Sequence, residues 1–329
     1  LILKLGRNVS FSAPRPIYAC LLCLIFLLSL FSACGGGANK KPDPELIAEA
    51  KSLATQGSYW YNRGCYSRAE RYFFQALETS RLLDDLPGMI RGKNNLGAAA
   101  LALGRYDQAG EYLHQALELN QTLGSSSEQS MILGNLAGLA FKVGRLEDAE
   151  RFWREAVHVA EKDESQTGLA LHLGNLGMLM RTTNRLEEAA GLLERARSAA
   201  LKAGPGGISA GIHLQLGLLA QVQGRLTEAE GYIKTALQMD KEAENALGVA
   251  QDLEKLGLLF HQREMWTEAA ATLDRAFYLY AALGDQAKVL MLYQWLQKNH
   301  AAGGRPESLA PYAEMIDQEE KISESILCR

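Results

Sequence analysis

Six stretches of this chain repeat one another at a fixed step of 40 residues. Gly64-Cys-Tyr-Ser-Arg-Ala69 is answered by Gly104-Arg-Tyr-Asp-Gln-Ala109, Gly144-Arg-Leu-Glu-Asp-Ala149, Asn184-Arg-Leu-Glu-Glu-Ala189, Gly224-Arg-Leu-Thr-Glu-Ala229 and Glu264-Met-Trp-Thr-Glu-Ala269. A second alanine follows each time, at 76, 116, 156, 196, 236 and 276, and a small residue precedes, at Gly57, Gly97, Ala137, Gly177, Gly217 and Gly257. A period of this length means that one supersecondary unit is used repeatedly. No unit can bury its apolar face alone, so the fold depends on stacking neighbours.

Each unit reads as two amphipathic helices. Leu96, Ala99, Ala100 and Leu103 recur at three- and four-residue steps, and so do Ala109, Tyr112, Leu113, Ala116 and Leu117. The glycine between them suits the left-handed position that ends a helix. Glycine within a helix costs about 1 kcal/mol against alanine. Its recurrence upstream of the turn therefore predicts close approach between the two helices, with the paired alanines presenting small side chains for the same purpose.

The small residue, the turn glycine, the two alanines and the large apolar residue between them (Phe73, Leu113, Trp153, Leu193, Ile233, Leu273) resemble the tetratricopeptide repeat. The 40-residue step and the lack of a proline closing the second helix are similar to the longer-helix type of kinesin light chains and Pins-type polarity scaffolds. The resemblance implies an all-α fold, a right-handed superhelical solenoid of antiparallel helix pairs. Six units are expected over residues 45–285, with a degenerate seventh and a capping helix over 286–329.

In such folds the residue before the recurrent leucine faces the concave groove. That column reads Thr55, Asn95, Asn135, Asn175, Gln215, Lys255 and Trp295. An asparagine amide offers a donor and an acceptor, which matches a peptide unit. The three asparagines either hold the backbone of an extended segment or bond neighbouring helices and order the array; both roles can coexist. Met178 belongs to an expected apolar floor, Arg91 to the groove mouth, and Tyr61 and Trp295 to its aromatic contacts. The carboxylate clamp of chaperone-type repeats is not matched, because Leu171 and Asn175 stand where its third-unit basic residues would fall.

The N-terminus is an address. Lys4, Arg7 and Arg15 precede an apolar run from Ile17 to Phe31, and then Ser32-Ala33-Cys34-Gly35. This is the order of a secretory signal. Phe31-Ser32-Ala33-Cys34 resembles the lipobox of bacterial lipoproteins, with Phe31 in place of the usual leucine. It implies removal of residues 1–33, lipidation of Cys34 and a short tether over 34–44. The expected location is the bacterial cell envelope, at the outer membrane facing the periplasm, with the lipid on Cys34 as the membrane contact. Cys65 and Cys328 are then expected as free thiols too far apart to bridge.

The remaining chemistry is sparse. No phosphate loop, nucleophile elbow, HExxH zinc motif or paired C-x-x-C is present. His172 and His213 fall near the starts of adjacent first helices, but surface or hydrogen-bonded histidines are commoner than ligands, so no metal and no cofactor is expected. With 34 basic against 38 acidic residues, nucleic acid is a poor partner, and no small-molecule substrate is expected. The sequence thus points to a non-catalytic protein-interaction scaffold that binds an extended segment of a protein or peptide partner. The alternative is a lipoprotein assembly factor, similar in plan to the pilotins of secretion and pilus systems, that uses its convex face or its ends.

Overall fold

The computed structural model describes residues 43–204 and 208–304, with Leu309 and Tyr312. The expected signal, lipobox and most of the capping helix lie outside the described residues. Thirteen α-helices and no strands are found among the described residues. They form hairpins: α1 (Pro44–Asn62) with α2 (Tyr66–Leu82), α3 (Leu86–Ala102) with α4 (Tyr106–Leu123), and α5 (Ser126–Lys142) with α6 (Leu146–Lys162). Then come α7 (Gln166–Thr182) with α8 (Leu186–Ala203), α9 (Ile208–Val222) with α10 (Leu226–Glu242), and α11 (Ala246–Gln262) with α12 (Trp266–Leu283). The first helix of a seventh unit follows as α13 (Gln286–Ala302).

The backbone period is half the sequence period. Gly64, Gly104, Gly144, Asn184, Gly224, Glu264 and Gly304, in the turns within hairpins, have φ between 60° and 79°. Asp84, Gly124, Glu164, Gly204, Glu244 and Gly284, in the turns between hairpins, have φ between 51° and 91°. A left-handed residue thus recurs every 20 residues. Within a hairpin it lets the next N–H return to the helix just ended, as in Arg105 N–H to Ala100 O at 2.9 Å and Arg145 N–H to Ala140 O at 2.8 Å. The first helices are capped where the turn supplies an acceptor: Ser125, Ser165, Asn245 and Asp285 accept from the third N–H of the helix that follows.

Small residues set the spacing inside each hairpin. A Cβ added at Gly97 would lie 2.7 Å from Leu113, one at Gly177 2.7 Å from Leu193, and one at Gly217 2.7 Å from Ile233. The large residue of the second helix therefore seats on the bare backbone of the first. The alanines at 69, 109, 149, 189, 229 and 269 are wholly buried. Burying a leucine-sized side chain stabilises by about 1.5–3 kcal/mol. That gain is shared between hairpins, since the core runs as successive clusters that each span neighbouring repeats.

First helices form the inner layer. α3 touches α5, α5 touches α7, α7 touches α9 and α9 touches α11, in addition to the contacts with their own hairpin partners, whereas the second helices make no comparable contact with one another. The second helices are linked instead by long side chains across the outside: Arg105 to Glu70 at 2.7 Å, Arg185 to Glu150 at 2.6 Å and Arg195 to Glu161 at 2.7 Å. Closer approach inside than outside is what bends a stack of hairpins.

The bend brings the first repeat back to the last ones. Arg63, in the turn of the first hairpin, pairs with Glu244 between α10 and α11 at 3.1 Å. A methyl group at Gly64 would lie 3.5 Å from Leu283 and 3.6 Å from Leu247. Burial, then the neighbouring Tyr61, then the charge of Asp285 push the Tyr66 phenol up to about 12. One edge of the coil thus meets its other edge. Cys65, 2% exposed, sits at this junction and is disulfide-bonded, which corrects the expectation of a free thiol. The chain's other four cysteines, 20, 23, 34 and 328, lie outside the described residues.

Candidate inner-face binding site

The asparagine column falls on the inner layer, half-buried, from Asn95 on α3 through Asn135 on α5 to Asn175 on α7. Its members do different things. The Asn135 amide donates to Asn94 Oδ1 at 2.8 Å and so ties α5 to α3. Among the described residues, Asn95 and Asn175 make no side-chain hydrogen bond. One rung therefore ties two neighbouring first helices together, and the other two are not used within the described fold. Asn94, 4% exposed, is the partner that the column alone did not reveal; the doubled Asn94-Asn95 was the only hint of it.

The next rungs are progressively engaged. Gln215 Oε1 accepts from Arg181 Nη2 at 3.2 Å. Lys255 Nζ lies 2.6 Å from Glu254, which also receives Lys288 Nζ at 2.8 Å and the Tyr280 hydroxyl at 2.9 Å. Burial opposes the charge on Glu254, but the two lysines hold its carboxyl below the usual range on balance. Trp295 meets His261 edge-on at 4.9 Å, and His261 Nδ1 lies 3.0 Å from Asn299 Oδ1. Beyond Asn175, each of these rungs is engaged by a neighbouring side chain.

Flanking residues divide in the same way. Arg91 is 3.3 Å from Glu128, whose carboxyl is pushed up by burial against the opposing pull of that arginine. Met178 is half-buried and packs on the core between the third and fifth repeats. Tyr61 packs against Tyr66 and Phe73, with centroids at 5.2 and 6.5 Å, so much of its ring belongs to the first hairpin's core.

His172 and His213 have separate hydrogen-bond partners. His172 is 1% exposed, with Nε2 3.0 Å from Ser130 Oγ, and burial pushes it down to about 4. Gly134 makes room for its ring: a Cβ there would stand 2.4 Å from Cε1. His213 bonds the carbonyl of Ser209. No group of three His, Cys, Asp or Glu among the described residues is arranged to hold a metal ion.

A family model for the tetratricopeptide repeat matches residues 88–156 and 128–202. No curated protein matches the chain. Among solved structures, the chain is similar to aspartyl phosphate phosphatase F from Bacillus subtilis, at 13% identity and TM-score 0.58, over 84% of this chain and 71% of that one. It is also similar to the apo form of the quorum sensor NprR from B. thuringiensis, at 16% identity and TM-score 0.58, over 84% and 77%. BtubC from P. vanneervenii aligns at 19% identity and TM-score 0.50, over 73% and 93%. At such identities the likeness is one of fold. The chain carries tetratricopeptide repeats, stacked as a solenoid of antiparallel helix pairs.

Proposed function

We propose that this protein is a non-catalytic interaction scaffold that holds an extended segment of a protein partner against its inner face. The observation that carries this reading is the pair of half-buried, unbonded amides of Asn95 and Asn175, two repeats apart on the inner layer. Neither amide is used within the described fold, and a peptide backbone offers the donor and acceptor that match each of them. A Rap protein of similar fold, at 14% identity and TM-score 0.55, has been solved in complex with Competence and Sporulation Factor, which supports a binding role. The lipobox-like Phe31-Ser32-Ala33-Cys34 adds the proposal that the scaffold is lipid-tethered in the bacterial cell envelope, at the outer membrane.

The test is co-purification from detergent-solubilised envelopes. Wild type is compared with the variant Asn95→Ala, Asn135→Ala, Asn175→Ala, after circular dichroism shows that both remain helical. A partner recovered with wild type and lost with the variant supports the inner-face site. A partner retained by the variant sinks it, and moves the contact to the convex face or the ends, as the pilotin-like alternative requires. Labelled fatty acid incorporated into wild type but not into Cys34→Ala tests the anchor.

A further inference from the structure

Among the described residues, the inner-layer arginine Arg181 has no carboxylate partner. Arg181 lies on α7 and is half-buried. Nη2 donates to the neutral Gln215 at 3.2 Å, and Nε is buried with no partner. Burial lowers its pKa, with no nearby carboxylate acting against it. Many other arginines of the chain are treated differently: Arg105, Arg154, Arg185, Arg195 and Arg263 pair with glutamates of a neighbouring repeat, and Arg145, Arg151, Arg197 and Arg225 with a carboxylate three residues away. One repeat to either side of Arg181 stand Phe141 and Gln221, so its neighbours on the inner layer supply no acid.

A guanidinium partly withdrawn from water without a carboxylate destabilises the fold that contains it. Its fork of donors fits a carboxylate in two-point fashion. Asn175, Met178 and Arg181 succeed one another at three-residue steps along α7. An extended chain bonded by the Asn175 amide therefore has an apolar contact and then a cation within reach.

We infer that Arg181 anchors an aspartate or glutamate side chain of the partner segment, with its guanidinium taking the carboxylate while Asn175 and Gln215 hold the adjoining backbone. The inference rests on the inner-face reading proposed above and gives its partner a chemistry: an extended segment with an internal acidic residue. A free C-terminal carboxylate is a poorer fit, because Phe141 and Gln221, one repeat to either side, offer no second cation to clamp it.

The experiment uses the purified full chain and pools of short random peptides fixed only at one central residue, as Asp, Glu, Asn, Gln or Lys, and made with amidated or free C-termini. The Asp and Glu pools are expected to be retained about tenfold more than the Asn and Gln pools, the size of one charge-assisted hydrogen bond. Arg181→Gln should abolish that preference, and Arg181→Lys should keep part of it, with helical content unchanged in both. A preference that survives Arg181→Gln, or that depends on a free C-terminus, overturns the inference. Equal retention of Asp and Asn pools, lost in the triple asparagine variant, overturns it while leaving the inner-face site standing. If no pool is retained, both readings fall together.

Discussion

The Arg63 guanidinium lies 3.1 Å from the Glu244 carboxylate, across 181 residues of sequence. This pair joins the turn of the first hairpin to the turn that enters the sixth. It is exposed, with 80% of the Glu244 side chain open to solvent, so it contributes up to about 1 kcal/mol and is screened by salt. Leu247 and Leu283 lie beside the bare Gly64 backbone at the same junction. The expectation is that Arg63→Glu combined with Leu247→Glu parts the two edges. Small-angle scattering should then show a larger radius of gyration at unchanged helicity, and Glu244→Arg added to Arg63→Glu alone should restore the wild-type value. An unchanged radius in the double variant would mean that curvature, not this contact, sets the closure.

The small-residue column makes a prediction opposite in sign to helix propensity. Glycine to alanine inside a helix ordinarily stabilises by about 1 kcal/mol. At Gly177 the new Cβ would stand 2.7 Å from Leu193 Cγ and 2.8 Å from its Cδ2, and Leu193 is wholly buried. Gly177→Ala should therefore destabilise by about 1–3 kcal/mol through overpacking. Gly191 has open space around it, so Gly191→Ala should stabilise. Chemical denaturation of the two variants side by side checks the contrast.

The same columns show how far the sequence could be read. The hairpin turn was legible because left-handed backbone favours glycine, and five of its seven occurrences are glycine. The turn between hairpins was not, since Asp84, Glu164 and Glu244 adopt the same backbone without a glycine to mark them. The asparagine column was legible as a row but not in its division of labour, because the partner of Asn135 is Asn94, on another helix and outside the row. The junction of Arg63 with Glu244 was illegible in principle: it is the sum of small rotations over the intervening hairpins, and no local pattern encodes it.

Asp240 and Asp252 form a buried acidic pair between α10 and α11, at 5% and 1% exposure. Burial, then the charge and hydrogen bond of Asp240, push Asp252 up to about 8. Burial also raises Asp240, against the hydrogen bond from Asn245. The folded state therefore keeps a proton that the unfolded chain releases near pH 3.9. Stability that is full below that pH falls as pH rises toward 8. Wild type should lose melting temperature between pH 5 and pH 8, and Asp252→Asn should lose less. A slope unchanged by the substitution would show that the pair does not share the proton.

His172 works in the other direction. Its pKa, pushed down to about 4 by burial, lies below the unfolded value of about 6.5. The unfolded chain therefore takes up a proton first, and stability present above pH 6.5 is lost as pH falls toward 4. His172→Gln should flatten the acid limb of a melting-temperature profile while lowering its plateau, since the Ser130 contact at 3.0 Å and the fit against Gly134 are both disturbed.

Arg181 allows stability and binding to be set against each other. If its half-buried guanidinium waits for a partner's carboxylate, then the protein without a partner bears an unrelieved desolvation cost. Arg181→Met fills similar volume along α7, removes the charge and the unpartnered Nε, and leaves Gln215 free to turn toward solvent. It should raise stability by about 1–3 kcal/mol, the penalty for a buried polar group left unsatisfied, while weakening retention of acidic peptides about tenfold. Arginines that pair on the outer surface predict the reverse pattern: Arg185→Met breaks links to Glu150 and Glu188, and should lower stability slightly without touching retention. Denaturant midpoints and peptide retention measured on both variants separate the cases. A loss of stability in Arg181→Met would show that the arginine serves the fold, and that no acidic partner is needed to explain its place on the inner face.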